Sequence, residues 1–84
     1  MVKKLLEMNF KENCLGIHYL ADAVQAKKDD IKKPYTVIYM EVGKKYGTTL
    51  TATERAMRYC IRGSKNKFNN KQVSEVISAL AILL

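Results

Sequence analysis

Arg55, Arg58 and Arg62 stand three and four residues apart in the second half of the chain. On an α-helix this spacing places the three side chains on one face. A guanidinium group donates two hydrogen bonds from a fixed fork, which fits a phosphate or the major-groove edge of a guanine. The same spacing also occurs on solvated basic stripes, because arginine is a good helix former. The surrounding residues must therefore distinguish a polyanion-binding surface from an ordinary solvated face.

The helix that carries the arginines is predicted to have two distinct faces. With about 3.6 residues per turn over residues 50–62, Tyr59 and Thr51 fall on the same side as the arginines. The opposite side holds residues that are expected to pack into a core, namely Leu50, Thr53, Met57, Cys60 and Ile61. A helix divided in this way buries one face and presents the other to solvent or to a ligand.

A second helix and a tight turn precede the arginine-bearing helix. Pro34 suits the first turn of a helix, and Gly47 suits the left-handed cap at its end. Two helices joined by so short a turn have the plan of a helix-turn-helix, predicted here over about residues 35–62. In that plan the second helix, about residues 50–62, enters the DNA major groove.

The ends of the arginine-bearing helix are marked by threonines and a glycine. Thr51 and Glu54 have the form of a capping box. Thr49 is a competing cap, so the start of the helix is open by about two residues. Gly63 and the serine after it are expected to end the helix.

Helical periodicity also covers the rest of the chain. A short first helix is predicted to end near Asn9, and a strongly amphipathic helix follows Gly16. After the polar loop SKNKFNN, Asn69 or Asn70 is expected to cap a last helix. The apolar stripes of these two longer helices comprise Ile17, Leu20, Ala21 and Val24 in the earlier one and Val73, Val76, Ile77, Leu80, Ala81 and Leu84 in the later one. We expect an all-α fold, a compact bundle of about five helices forming one domain over residues 1–84.

The formal charge of +7 is unevenly distributed along the 84 residues. Residues 1–54 contain nine lysines and seven acids, whereas residues 55–84 contain six basic residues and one acid, Glu75. No acid lies between Arg55 and Lys71. A segment of this kind attracts polyanions, of which nucleic acid is the commonest.

Composition and motifs argue against several classes of protein. No apolar run approaches the roughly 18 residues that span a bilayer, and the N-terminus lacks the uninterrupted stretch of a signal peptide. Cys14 and Cys60 fit neither a disulfide framework nor a metal-ligand spacing. No catalytic constellation or phosphate-cradling glycine loop appears. We therefore expect a cytoplasmic protein that is not an enzyme, with no membrane partner, metal, cofactor or small-molecule substrate.

The stretch VIYMEVGKKYGTTLTATERAMRYCIR resembles the DNA-binding effector domain of the sporulation master response regulator, the stage-zero transcription factor of endospore-forming Firmicutes. The shared pattern is a helix ending in K-K-(Y/F), a turn with T-T, and then E-R-A-(I/M)-R. Upstream, VKKLLEMNF and GIHYLADAV are similar to the family's first two helices. The resemblance covers nearly the whole chain and implies a DNA-binding helix-turn-helix.

The resemblance also implies roles for individual residues. The family's glutamate and two arginines that contact its DNA box match Glu54, Arg55 and Arg58. Ala52 stands where the family has a further arginine, and Tyr59 stands where it has a histidine, so the same DNA box is not expected. The family's longer segment after the recognition helix, part of which contacts a sigma factor, is shortened here to GSKNKFNN. Activation by that route is therefore not expected.

Our first hypothesis is sequence-specific binding to double-stranded DNA and regulation of transcription, with a homodimer on DNA left open. The predicted base contacts are Glu54, Arg55, Arg58 and Tyr59, and the predicted backbone contacts are Thr49, Thr51, Arg62, Lys65 and Lys67. Tyr39 is a weaker candidate for a phosphate contact. Mutating a base contact should relax specificity, whereas mutating a phosphate contact should weaken binding to all sequences alike.

The alternative is a protein-interaction module that keeps the fold and modulates a related full-length regulator without binding DNA itself. The alanine at position 52 and the shortened loop motivate this hypothesis. The C-terminal sequence AILL is more apolar than one helix face requires, so it either covers the core or forms a dimer patch. Binding to random duplexes at two salt concentrations distinguishes the two hypotheses.

Overall fold

The computed structural model describes residues 1–12 and 14–84, and within them the chain forms five α-helices and no strand. The helices are α1 (Val2–Glu7), α2 (Leu15–Asp29), α3 (Tyr35–Lys45), α4 (Leu50–Arg62) and α5 (Val73–Leu83). The predicted all-α fold is confirmed. In the described part of the chain, no helix combines the length and apolar character that crossing a membrane requires.

Helix α2 lies at the centre of the bundle and packs against each of the other four helices. Its predicted stripe is buried, as is the stripe of α5 from Val73 to Leu80, whereas Ala81 and Leu84 are only partly covered. The fully buried side chains that meet between the helices include Leu5, Leu20, Ile38, Met57, Ile61 and Ile77. Each contributes roughly 1.5–3 kcal/mol by leaving water, so helix packing rather than local propensity holds α4 in place.

Gly16 allows α2 to touch the backbone of α4. A Cβ atom built at Gly16 would lie 2.1 Å from the carbonyl oxygen of Ala56 and 2.9 Å from the Cβ of Cys60. No side chain fits at such a distance, so glycine at this position sets how closely the two helices cross. The face of α4 opposite its arginines is thereby seated directly on α2.

A Schellman motif ends α3 and fixes the turn that leads into α4. Gly47 has a φ of 71°, the left-handed conformation predicted for it. The N–H of Thr48 donates to the Gly43 carbonyl at 2.8 Å, and the N–H of Gly47 donates to the Lys44 carbonyl at 3.3 Å. These two bonds satisfy carbonyl groups at the end of α3. Thr49 is then the first residue that is free to cap the next helix.

Thr49, and not Thr51, caps the N-terminus of α4. Its side-chain oxygen accepts a hydrogen bond from the N–H of Ala52 at 3.1 Å. The predicted capping box of Thr51 with Glu54 is wrong, because Thr51 lies inside the helix and Glu54 pairs with Arg58. The Schellman motif explains the choice between two equally suitable threonines, since it places Thr49 at the point where the helix can begin.

Two other predicted helix ends are displaced in the structure. Helix α1 ends at Glu7 rather than near Asn9, because Asn9 adopts a left-handed φ of 66°. The predicted cap of α5 at Asn69 or Asn70 is wrong: Gln72 occupies the N-cap position and makes no side-chain capping bond. The N–H of Lys71 still donates to a carbonyl in the preceding loop, so the chain continues in turns past both asparagines.

The loop of residues 63–72 is anchored to the segment that follows α1. The ring of Phe68 is 7% exposed and stacks on Phe10 with centroids 6.0 Å apart. Asn66 donates from Nδ2 to the Met8 carbonyl at 2.7 Å, and its Oδ1 accepts from the Phe68 N–H at 2.9 Å. The N–H of Lys65 donates to the Asn9 carbonyl at 2.9 Å. A sequence that reads as a polar loop is therefore held by one buried aromatic contact and by hydrogen bonds to the segment after α1.

Both cysteine thiols donate to the same backbone carbonyl. Cys14 lies 3.3 Å and Cys60 3.7 Å from the carbonyl oxygen of Lys11, measured from each sulfur. Burial raises the pKa of the Cys60 thiol to about 12, so this group stays neutral at physiological pH. Cys60 acts as a small core residue where α4 meets α2.

Candidate nucleic-acid interface

The predicted division of α4 into two faces is confirmed. Thr53, Met57, Cys60 and Ile61 are buried, and Leu50 is half-buried. On the other side the exposed residues are Thr51, Ala52, Arg55, Arg58, Tyr59 and Arg62. The N-cap Thr49 is also exposed, although its side-chain oxygen is engaged in capping. The helix therefore presents its polar face outward and its first turn at the surface.

Glu54 and Arg58 form an ion pair one turn apart on this face. Nη2 of Arg58 lies 2.6 Å from Oε2 of Glu54, and both side chains remain partly exposed. An exposed pair at this spacing contributes only about 0.3–0.5 kcal/mol to stability. The pair also holds the flexible Arg58 side chain along the surface of the helix, next to Glu54. Among the described residues, no carboxylate lies within ion-pair distance of Arg55 or Arg62.

Tyr59 lies on the other side of Arg55 from Arg58 and contacts Lys11. The Nζ of Lys11 donates to the Tyr59 hydroxyl at 2.6 Å and sits 4.1 Å from the centre of its ring. This hydrogen bond raises the pKa of Lys11, which is already cationic at neutral pH. Sequence reasoning missed Lys11, because 48 residues separate it from Tyr59 and no local pattern links them. The contact adds a positive charge beside the exposed face of α4.

Lys65 and Lys67 extend the positive surface into the loop after α4. Both side chains are exposed. Lys65 lines a cleft of about 400 Å³ that also contains Lys11 and Gly63. The Nζ of Lys67 lies 5.4 Å from the ring centre of the buried Phe68. Anchoring of the loop thus places both lysines next to the C-terminal end of α4.

A second cleft, of about 340 Å³, lies on the Arg58 side of α4. Helix α4 contributes Glu54, Arg58 and Arg62 to its wall, and α3 contributes Tyr39. The remaining wall is the start of α5, residues 70–74, which includes Lys71. The predicted base and backbone contacts therefore border two clefts: Glu54, Arg58 and Arg62 line this one, while Lys65 lines the other with Lys11, which contacts Tyr59.

The geometry defines a basic face, by which we mean Lys11, Arg55, Arg58, Arg62, Lys65, Lys67 and Lys71. These cations surround the exposed side of a helix that follows a tight turn. A second helix held in this way by the first is the arrangement of a helix-turn-helix DNA-binding domain.

A family model described as the C-terminal domain of the sporulation initiation factor Spo0A matches residues 1–81 of the chain. The chain belongs to this family, as its sequence motifs had indicated. The family consists of DNA-binding domains that regulate transcription during sporulation, and it is not an enzymatic family. The helix-turn-helix here is therefore part of a DNA-binding regulatory domain.

Proposed function

We propose that this domain binds specific sequences of double-stranded DNA and regulates transcription, with α4 in the major groove. The observation that supports this proposal most directly is that α4 exposes its arginines on one face and buries the opposite face in the core. Its N-terminal turn is at the surface, where a groove can receive it. Lys65 and Lys67 are exposed in the loop after α4, and Lys11 contacts Tyr59 beside the same face, so these cations can contact the phosphates that border the groove.

Each residue of the face has a proposed role. Arg55 and Arg58 donate to base edges, preferably guanine, because a guanidinium fork fits its two acceptors. Glu54 orients Arg58 and can accept from a cytosine amine, and Tyr59 contributes a hydroxyl at the edge of the base-contact region. The DNA backbone is contacted by Thr49, Thr51, Arg62, Lys65 and Lys67.

The DNA sequence that is recognised should differ from that of relatives with an arginine at position 52. Ala52 is exposed in the first turn of α4 and offers only a methyl group, which suits a thymine methyl rather than an acceptor. Tyr59 replaces a histidine in the family pattern and has Lys11 at its hydroxyl. We propose that these two positions alter the preferred sequence while Arg55 and Arg58 retain part of it.

We further propose that the protein acts on DNA in the cytoplasm and that two copies bind one operator. Ile82 and Leu83 are 78% and 58% exposed at the end of α5, and Ile31 is exposed as well. Ile31 and Ile82 line one cleft, and adjacent exposed apolar side chains favour an interaction surface. Two copies would require half-sites separated by a fixed number of base pairs, as in other dimeric helix-turn-helix proteins.

Selection from random duplexes, followed by binding titrations at two salt concentrations, tests this function. We expect an enriched motif and an affinity that falls steeply as salt rises, because lysines and arginines displace counterions. A paired motif with constant spacing would support two copies on one site. Absence of binding even at low salt would contradict the proposal and favour the protein-interaction module.

A further inference from the structure

Tyr39 has a buried side chain and a hydroxyl without a partner. The residue is 9% exposed, and among the described residues no hydrogen bond is made by its hydroxyl. Burial raises the pKa of this phenol to about 12, so the group is a protonated donor at neutral pH. Among the described residues no fully buried side-chain oxygen or nitrogen lacks a partner, so the Tyr39 hydroxyl itself is accessible, and Tyr39 lines the cleft next to Arg58 and Arg62.

The same cleft contains the N-terminus of α5. Gln72 occupies the N-cap position without a side-chain bond to the helix, and the first N–H bonded back to it is that of Val76 at 3.0 Å. The N–H groups of Val73 and Ser74 therefore have no partner within the helix. Unpaired N–H groups and the helix dipole together favour an anion at this end of α5.

The charged groups around the cleft also favour an anion. Arg58, Arg62 and Lys71 line it, against one carboxylate, Glu54. Glu54 is already paired with Arg58. A second acid, Glu75, lies nearby in the first turn of α5 but does not line the cleft. The net charge of the side chains that line the cleft is therefore positive.

We propose that this cleft binds one backbone phosphate of the DNA duplex, held by the Tyr39 hydroxyl, the first N–H groups of α5 and Arg62. This rests on the proposed function, because the duplex supplies the phosphate when α4 lies in the groove. Arg62 is the last residue of α4, so a phosphate here lies at the rim of the groove and not over a base. Helices α3, α4 and α5 would then all contribute to one phosphate, which fixes the angle of α4 in the groove.

Single methylphosphonate substitutions in the selected duplex, combined with Tyr39→Phe, test the proposal. Each methylphosphonate removes the charge of one phosphate. We expect one position per bound copy at which this lowers wild-type affinity roughly five- to tenfold. Tyr39→Phe should bind the unmodified duplex several-fold more weakly than the wild type does. A methylphosphonate at that position should lower the affinity of Tyr39→Phe by a smaller factor than it lowers that of the wild type, because the two changes remove parts of the same contact. Tyr46→Phe is the matched control. It also removes a tyrosine hydroxyl at α3, but that hydroxyl donates to Asp22 and does not face the cleft.

The outcomes separate the failure of this inference from the failure of the proposed function. If the wild-type protein binds its selected duplex and Tyr39→Phe shows the same affinity and methylphosphonate pattern, the cleft has no phosphate and the inference is wrong. If the wild-type protein binds no duplex, both proposals fail. A titration with inorganic phosphate alone, followed by the amide NMR shifts of residues 73–75, shows whether the cleft binds free phosphate. If it does and no methylphosphonate lowers DNA affinity, the cleft binds free phosphate and the proposed DNA contact is wrong.

Discussion

Helix α4 and the loop of residues 63–72 both carry proposed DNA contacts, but they are positioned in different ways. The start of α4 and the face that it buries follow from signals within a few residues of it, namely the Gly47 turn, the Thr49 cap and its own apolar residues. The loop is positioned by bonds from Lys65 and Asn66 to the end of α1, more than fifty residues away. The residues proposed to contact bases thus lie on a helix whose start and faces are set locally, whereas Lys65 and Lys67, proposed to contact the DNA backbone, depend on a distant part of the chain.

Gly16→Ala should have the largest effect, because it disturbs the support beneath α4. The new Cβ would meet the Ala56 carbonyl oxygen, a backbone atom that cannot move independently of its helix. We expect a loss of about 3 kcal/mol in the free energy of unfolding, measured by urea denaturation. Gly63→Ala is the control, since its Cβ would meet mainly the flexible Lys11 side chain. Equal stability of the two variants would show that α2 and α4 can separate without cost.

Asn66→Ala should detach the loop while leaving α4 in place. It removes the donor to the Met8 carbonyl and the acceptor for the Phe68 N–H, which costs about 2 kcal/mol of stability. Amide hydrogen exchange should increase in residues 64–70 and remain slow in α4. Faster exchange in α4 to the same extent would remove the contrast between the two regions.

Arg58→Ala and Lys67→Ala compare the regions by their effect on DNA binding. Under the proposed function, Arg58→Ala lowers affinity by roughly 1–3 kcal/mol and relaxes the preference at one base pair. Lys67→Ala should weaken binding to all sequences alike and reduce the salt slope by about 1. Titrations against the selected duplex and its single-base variants measure both effects. An unchanged base preference in Arg58→Ala would remove its proposed base contact.

Thr49→Ala should have the smallest of these effects and tests the cap. Loss of the bond to the Ala52 N–H is expected to lower the free energy of unfolding by about 1 kcal/mol. Thr51→Ala is the matched control, because Thr51 is exposed in the first turn of α4 without a capping bond and should change stability by only a few tenths of a kcal/mol. Thermal denaturation of the two variants is sufficient. The reverse order would restore the capping box predicted from sequence.

The features that could be predicted from sequence share a local physical origin. The two faces of α4 and the stripe of α2 follow from helical periodicity. The left-handed Gly47 follows from the chemistry of helix ends, because glycine adopts a positive φ without steric cost. The arginines were identified by type and spacing alone, and the family match supports their setting in a DNA-binding domain.

The features that could not be predicted depend on residues far apart in the chain. Asn69 and Asn70 have the local properties of a cap, yet burial of Phe68 keeps them in a turn and α5 begins later. Lys11 meets Tyr59 only because the segment that follows α1 lies beside α4. Thr49 and Thr51 are equivalent as caps in sequence, and the hydrogen bonds that end α3 decide between them.

The pairing of Arg58 with Glu54 has a kinetic consequence under the proposed function. In free solution Arg58 already has a partner at 2.6 Å, so a base must compete with a carboxylate for its guanidinium group. A guanine can do so, because it offers two acceptors to the guanidinium group. Next to other bases, Arg58 stays paired with Glu54 and makes no base contact. Encounter with DNA is then driven by the unpaired cations, and the correct sequence is distinguished by how long the complex lasts.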